Sequence, residues 1–185
     1  MNNILLTGAS SEIGKEFLIQ NNSSKNVIYA HYNSSKNFSK FLKLIKLKSR
    51  IKLIKCDFSK ENELGTFLKK IKNIKFDKII HLAAKPVELI RFTELNTKHF
   101  LTEYKISFFS IFKILQKTLP IMQERKGGDV IFVLSSGILE NKTTPYFTHY
   151  NCLKFQLLGL IKSLTIEYEK SDINFVSISP DIMDT

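Results

Sequence analysis

The sequence has few cysteines and no long apolar run, and both scarcities limit what the chain can be. Its two cysteines, Cys56 and Cys152, show no Cys-x-x-Cys spacing, which excludes a disulfide framework and gives no support to a zinc site. We therefore expect two reduced packing residues and no metal. The only apolar stretch near the start is Ile4 to Leu6, too short for a signal peptide or a membrane span. We expect a soluble, cytoplasmic protein with no membrane partner.

Arginine-rich and aromatic-interleaved basic patches are also missing, although the net charge is +11. The lysines are spread along the whole chain, which favours a solvated surface over a nucleic-acid partner. Such a basic field favours anionic ligands, phosphorylated cofactors among them. No repeat or low-complexity linker divides the 185 residues, so we expect one domain over 1–185.

Short apolar runs rich in β-branched residues alternate with longer segments of helical period. The predicted strands are Asn3 to Thr7, Val27 to Tyr32, Ile51 to Cys56, Lys78 to Leu82, Val130 to Ser135 and Phe175 to Ile178. The predicted helices are Glu12 to Gln20, Phe38 to Lys48, Lys60 to Lys72, Thr102 to Gln123 and Tyr150 to Glu169. This alternation predicts an α/β fold, a doubly wound parallel sheet with helices on both faces.

One predicted helix is apolar nearly all round between Phe108 and Leu115. A helix with this pattern must be buried on more than one side. Either a subunit interface or a sandwiched position inside the monomer satisfies that need, and the sequence does not choose between them.

The first predicted strand ends in a turn of small residues, Thr7 to Gly14, directly before an amphipathic helix. Small residues let the backbone turn sharply and approach a pyrophosphate, while the helix N-terminus directs free N–H groups and its dipole at the anion. The turn predicts a dinucleotide site. Its candidate cofactor-binding residues are Gly8, Ser10, Ser11, Ile13 and Gly14.

Tyr150 and Lys154 are four residues apart in a predicted helix, so the phenol and the ammonium lie on one face. A tyrosine with a pKa near 10 is a poor acid at neutral pH, and we expect the neighbouring cation to lower the pKa of Tyr150. Ser136 follows a predicted strand, where open parallel sheets bind ligands. Its hydroxyl is a candidate to position a substrate oxygen.

These motifs resemble the short-chain dehydrogenase/reductase family, whose fingerprint is Thr-Gly, three variable residues, Gly, one residue and Gly. Glu12 stands at the middle glycine. The resemblance runs from Asn3 to the last residue and implies a Rossmann-type sheet with strand order 3-2-1-4-5-6. It also implies four catalytic positions: Ser136, Tyr150, Lys154 and Ser107, the last standing where the family has asparagine.

The resemblance implies further cofactor contacts after the third, fourth and sixth strands. They are Asp57, Phe58, Ala83, Ala84, Pro180, Ile182 and Thr185, in addition to Tyr150 and Lys154. Asp181 stands where the family's last segment has glycine. His81, in the fourth-strand motif, either makes a strand-end hydrogen bond or acts in catalysis.

The end of the second strand bears on the choice of nicotinamide cofactor. NAD-preferring relatives place an acidic residue there, and the matching position is Tyr32. The following Asn33, Ser34, Ser35 and Lys36 offer hydrogen-bond donors and a charge for a 2′-phosphate, so we expect NADP to be preferred over NAD. Alternatively, the two serines cap the next helix and the lysine faces solvent.

By its resemblance, the chain is expected to be an NAD(P)-dependent oxidoreductase acting on a small-molecule carbonyl or secondary alcohol, as a homodimer or homotetramer. The substrate is not identified, because relatives usually continue into a substrate-binding loop and a seventh strand. Two alternatives stay open. The departures at Ser107, Glu12 and Asp181 suit a catalytically weak cofactor-binding or sensor protein, and the run from Ile79 to Ala84 suits a nucleotide-sugar epimerase or dehydratase.

Overall fold

A computed structural model describes residues 1–33, 36–45, 49–125, 127–139 and 143–181. Six strands form one parallel sheet in the order β3-β2-β1-β4-β5-β6. They are β1 (Asn2–Thr7), β2 (Asn26–Tyr32), β3 (Arg50–Lys55), β4 (Lys78–His81), β5 (Gly128–Val133) and β6 (Ile173–Ile178). The predicted strand order is confirmed, and every strand is a predicted one with its ends shifted by at most two residues.

The helices fill the connections between the strands. They are α1 (Glu12–Gln20), α2 (Lys36–Leu44), α3 (Glu61–Ile71), α4 (Thr97–Tyr104), α5 (Ser110–Glu124), α6 (Ser136–Leu139) and α7 (Thr148–Glu167). The sequence pattern did not predict the short α6 or a 3₁₀ turn at Phe92–Glu94. Within the described ranges, no helix combines the length and the apolarity that a membrane crossing requires.

The long helix predicted from Thr102 to Gln123 is in fact two helices joined by a π-helical turn, Lys105–Phe109. Its start is also earlier than predicted, because the Asn96 side chain caps α4 by accepting hydrogen bonds from the N–H groups of Lys98 and His99. Such π turns are frequent at functional sites. Ser107 lies within this one.

The sheet separates two hydrophobic clusters, one on each face. Leu5 of β1 belongs to the cluster covered by α3, α5 and α7, whereas Ile4 and Leu6 belong to the cluster covered by α1 and α2. This alternation follows from the two-residue period of a strand, and each buried leucine or isoleucine contributes about 1.5–3 kcal/mol.

The apolar stretch of α5 packs mainly inside the monomer. Ile111 and Ile114 are fully buried in the core cluster, while Phe112 remains 37% exposed. The sandwiched alternative therefore explains most of this helix.

Candidate active site

The turn after β1 requires glycine at two positions. Gly8 has φ +70, and a Cβ there would lie 2.7 Å from the backbone of Leu82. A Cβ on Gly14 would lie 2.6 Å from the Gly8 carbonyl oxygen. Ser11 caps α1: its Oγ donates to the Gly8 carbonyl oxygen at 2.8 Å and accepts from the Gly14 N–H at 3.1 Å. Ser11 thus fixes the start of α1 at the end of the turn, and the N-terminus of a helix is where an anion can bind.

Glu12, at the position of the middle glycine, is the first residue of α1 and pairs with Lys15 one turn later. Its side chain is 64% exposed. A solvent-facing carboxylate in the first turn suits the helix dipole.

His31 of β2 holds the glycine turn against the sheet. Its Nδ1 accepts from the Gly8 N–H at 3.2 Å, its carbonyl oxygen accepts from the Ala9 N–H at 2.9 Å, and its Nε2 lies 3.0 Å from the carbonyl oxygen of Cys56. Because a carbonyl only accepts, Nε2 carries the proton. Burial lowers the pKa of His31 to about 4, so the ring is neutral at pH 7.

His81 joins β4 to the π-helical turn. Its Nδ1 lies 2.9 Å from the Thr7 hydroxyl and its Nε2 lies 2.8 Å from the Ser107 carbonyl oxygen. Burial lowers the pKa of His81 to about 3. Both ring nitrogens therefore lie within hydrogen-bond distance of groups of the fold, which is the arrangement that the strand-end alternative predicts.

A cleft of about 430 Å³ opens at the carboxyl ends of the strands, where doubly wound sheets bind ligands. It brings together residues that are far apart in the sequence. Its lining includes the predicted residues Ser11, Ile13, Ala83, Ala84, Ser107, Tyr150, Lys154 and Pro180. Gly8, Ser10 and Gly14 belong to the turn that carries Ser11 and Ile13 into the cleft.

Tyr150 and Lys154 lie one turn apart on α7, with the Lys154 Nζ 5.3 Å from the Tyr150 ring centroid. The Nζ donates a hydrogen bond to the Val133 carbonyl oxygen at 2.6 Å, and burial lowers the pKa of Lys154 to about 8. Burial raises the pKa of Tyr150, and a hydrogen bond with the Ser135 side chain partly opposes that rise. The prediction that Lys154 lowers the pKa of Tyr150 is therefore wrong, because this pKa is raised.

The serine beside Tyr150 is Ser135, whereas the sequence analysis selected Ser136. Ser135 lines the cleft. Ser136 is the first residue of α6, and its Oγ donates to Oδ1 of Asp181 at 3.2 Å. The start of a helix at Ser136 turns its side chain towards the segment after β6. Ser136 lies 14 residues before Tyr150 and Ser135 lies 15 before it (150 − 135), so the family spacing favoured Ser136 and gave no signal for Ser135.

The other predicted cofactor contacts that the structure describes are not among the residues that line the cleft. The Asp57 carboxylate accepts from the N–H and the hydroxyl of Ser59 at 3.0 and 2.6 Å. Phe58 is 3% exposed, and its ring stacks on that of His31 with 3.7 Å between the ring centroids, so its side chain is part of the core. Asn33 is exposed after β2, and Lys36 begins α2. The predicted contacts Ser34, Ser35, Ile182 and Thr185 lie outside the described residues.

Three ionisable residues in the cleft wall, Lys85, Glu103 and His149, were missed by the sequence analysis. Glu103 of α4 and His149 of α7 both line the cleft. The spacing of His99 and Glu103, four residues apart on one helix face, was the available signal. The pairing with His149 depends on how α4 and α7 pack, which the sequence pattern does not give.

Comparisons with known proteins agree with this arrangement. The sequence matches the family described as short chain dehydrogenase over residues 2–185. It is 37% identical over 67 residues to dehydrogenase/reductase SDR family member 4 of Homo sapiens, and this stretch covers 36% of the chain and only 23% of that relative.

Solved structures with the same fold include the bulky-bulky ketone specific alcohol dehydrogenase from Comamonas testosteroni, with a TM-score of 0.88 and 16% identity over 100% of this chain and 77% of that one. A metagenomic short-chain oxidoreductase in complex with NADP has a TM-score of 0.84 and 16% identity over 97% of this chain and 81% of that one. At these identities the likeness concerns the fold, and the family follows from the sequence match. The chain therefore belongs to the short-chain dehydrogenase family of oxidoreductases.

Proposed function

We propose that the chain is an NAD(P)-dependent oxidoreductase that interconverts a carbonyl group and a secondary alcohol. One observation carries this proposal: Tyr150, Lys154 and Ser135 lie in the same cleft as the end of the glycine turn. Hydride transfer to a carbonyl requires both a proton donor and a site for the anionic pyrophosphate of the cofactor, and this cleft offers the two together.

The residues on the cofactor side fit a dinucleotide. The backbone at Gly8 and Gly14 leaves no room for a Cβ, and α1 directs its N-terminus at the turn. Ser11 and Ile13 would hold the pyrophosphate there. Lys154 would hold the nicotinamide ribose hydroxyls, and Pro180 would border the nicotinamide ring. When bound, the nicotinamide supplies or accepts the hydride at the substrate carbon.

In the reduction direction, Tyr150 would donate its phenolic proton to the carbonyl oxygen of the substrate as that oxygen gains negative charge. The hydroxyl of Ser135 would donate a hydrogen bond to the same oxygen and keep it within reach of the phenol. Ser107 lines the cleft where the family has asparagine. We assign it to the return of a proton from solvent to Tyr150.

Tyr150→Phe tests this assignment. We expect kcat on a ketone panel with NADPH to fall at least about 100-fold, since general acid catalysis contributes about 10²–10⁴-fold. Cofactor affinity should stay within about threefold, because Lys154 and the glycine turn are unchanged. Tyr146→Phe is the matched control: Tyr146 is 48% exposed and does not line the cleft. Full activity of Tyr150→Phe would refute the assignment. Tight cofactor binding by the wild type without turnover would favour the binding or sensor alternative.

We further propose that copies of the chain associate through α5 and α7 as a homodimer or homotetramer. Each helix keeps large apolar side chains in contact with solvent: Phe112 is 37% exposed on α5, and Phe155 and Ile166 are 42% and 76% exposed on α7. Pairing would remove this surface from water. Light scattering that shows a monomer at micromolar concentration would refute this proposal.

A further inference from the structure

Helix α4 and the start of α7 bring two imidazoles and a carboxylate together at the wall of the cleft. The nearer contacts are 3.3 Å between His99 Nε2 and Glu103 Oε1, and 3.7 Å between His149 Nε2 and Glu103 Oε2. One ligand atom from each residue can be chosen so that all three lie within 4.8 Å of one another. The three side chains therefore surround one small volume.

These side chains are buried without the hydrogen bonds that burial normally requires. Glu103 is 5% exposed and His149 is 1% exposed. Across the described part of the chain, four atoms here are buried without a hydrogen-bond partner: His99 Nε2, Glu103 Oε2 and both ring nitrogens of His149. Unpaired buried polar groups are unfavourable and rare in native proteins.

The contrast with the other two histidines is informative. His31 and His81 are equally buried, but both nitrogens of each ring lie within hydrogen-bond distance of a backbone or hydroxyl group. The fold therefore satisfies its structural histidines. By contrast, neither ring nitrogen of the buried His149 has a hydrogen-bond partner, so the fold leaves a nitrogen lone pair available to bind an ion.

We propose that His99, Glu103 and His149 bind one divalent transition-metal ion, and that Zn²⁺ is the ion their chemistry fits best. Imidazole nitrogens and a carboxylate oxygen are ordinary zinc ligands, and three protein ligands leave one coordination position open. With metal–ligand distances of about 2.1 Å, tetrahedral ligand atoms are about 3.4 Å apart, whereas one atom from each of the three residues lies within 4.8 Å of the other two here, so a small side-chain movement completes the site. The His99 side chain is 19% exposed, so it has room to move towards the ligand atoms of Glu103 and His149.

The ion would lie at the wall of the catalytic cleft, because Glu103 and His149 line it and His149 directly precedes Tyr150. Its open position would accept water or an oxygen of the substrate. It would also tie α4 to the start of α7, beside the two residues that the proposed hydride-transfer chemistry depends on. The proposal does not rest on that chemistry, and its test needs no substrate.

The test is a calorimetric titration of the chelator-treated full chain with Zn²⁺, repeated with Co²⁺ while visible absorption is recorded. We expect one ion per chain and Co²⁺ bands typical of nitrogen and oxygen ligation. Glu103→Gln and His149→Gln should weaken Zn²⁺ binding at least about 100-fold, more than the 10–100-fold that changes around a ligand cause. Glu94→Gln and Cys152→Ser, at exposed positions outside the cluster, should bind like the wild type.

Far-ultraviolet circular dichroism separates a lost ligand from a lost fold, and His99→Gln supplies a variant at a partly exposed position that disturbs packing least. Weaker binding in a folded His99→Gln chain supports the site even where Glu103→Gln fails to fold. Three results would overturn the proposal: no stoichiometric binding by the wild type, affinity unchanged in all three ligand variants, or loss of binding in Cys152→Ser. A Zn²⁺-soaked crystal with only water between the three residues would do so too.

Discussion

The ammonium of Lys154 donates a hydrogen bond to the backbone carbonyl of Val133, with 2.6 Å between the nitrogen and the oxygen. This bond joins the first half of α7 to Val133, the last residue of β5, which lies two residues before Ser135. The acceptor is neutral and the site is buried, so the ammonium is desolvated without a compensating anion. Its pKa is accordingly lowered to about 8.

The lowered pKa of Lys154 predicts that cofactor affinity weakens as the pH rises from 7 to 9.5. Above about pH 8 the neutral amine predominates, whereas an unperturbed lysine stays charged until about 10.4. A neutral amine would hold the ribose hydroxyls less strongly than an ammonium. Titration with NADPH at constant ionic strength, followed by the fluorescence of the reduced nicotinamide, measures the effect. Lys154→Met should bind weakly at every pH, and an equal slope in that variant would assign the effect to another group.

Ser135 and Ser136 should differ sharply when each is replaced by alanine. We expect Ser135→Ala to lower kcat on a verified ketone by about 10²-fold, the typical loss of one oxyanion donor, and Ser136→Ala to change it by less than about threefold. Burial raises the pKa of Tyr150 and the hydrogen bond with Ser135 partly opposes that rise, so losing this bond should also move the alkaline limb of the kcat/KM profile to higher pH. The reverse order of the two variants would restore Ser136 as the catalytic serine.

The sheet was predictable because its signals are local. Each strand is a short β-branched run, and the turn from Gly8 to Gly14 must follow a strand and begin a helix, which fixes the first βαβ unit. The strand order then came from the family resemblance. Element ends were less certain, since helix starts depend on caps such as Asn96, whose side chain accepts hydrogen bonds from the N–H groups of Lys98 and His99.

The parts of the site that the sequence did not predict depend on tertiary packing. The π-helical turn places the Ser107 carbonyl against His81, which is a contact between residues 26 positions apart. The choice between Ser135 and Ser136 depends on where α6 starts. The pKa of Tyr150 depends on how deeply the side chain is buried in the fold, and the spacing of residues in the sequence does not predict that burial.

The two neutral histidines predict a loss of stability in mild acid. The pKa values of His31 and His81 are lowered to about 4 and about 3, whereas in the unfolded chain each is near 6.5. Between these values the unfolded state binds more protons, so the free energy of unfolding falls as the pH falls below 6.5. Linkage gives about 1.5 kcal/mol for each histidine between pH 6.5 and 5.

Urea unfolding at pH 7, 6.5, 6, 5.5 and 5 measures this dependence. His81→Asn keeps a hydrogen-bonding side chain without a titrating ring, so its pH dependence should be smaller by about 1.5 kcal/mol over that range. An unchanged dependence in this variant would mean that His81 is not held neutral by the fold.

The choice between the two nicotinamide cofactors is predicted from the end of β2. β2 ends at Tyr32, the position where NAD-preferring relatives have an acid, so no carboxylate there repels a 2′-phosphate. Asn33 is exposed directly after it, and Lys36 begins α2 close by. We expect NADP to bind about tenfold more tightly than NAD, which corresponds to about 1.4 kcal/mol.

Lys36→Ala tests whether this segment recognises the phosphate. The variant should lose most of the preference for NADP while its NAD affinity stays the same, because only NADP carries the 2′-phosphate. Lys43→Ala, in the last turn of the same helix, is the matched control for the general attraction of a chain with a net charge of +11. The preference should also shrink as salt is raised, since contacts at an exposed rim are screened. Equal loss in the two variants, or tighter binding of NAD by the wild type, would show that the Asn33 to Lys36 segment does not select the cofactor.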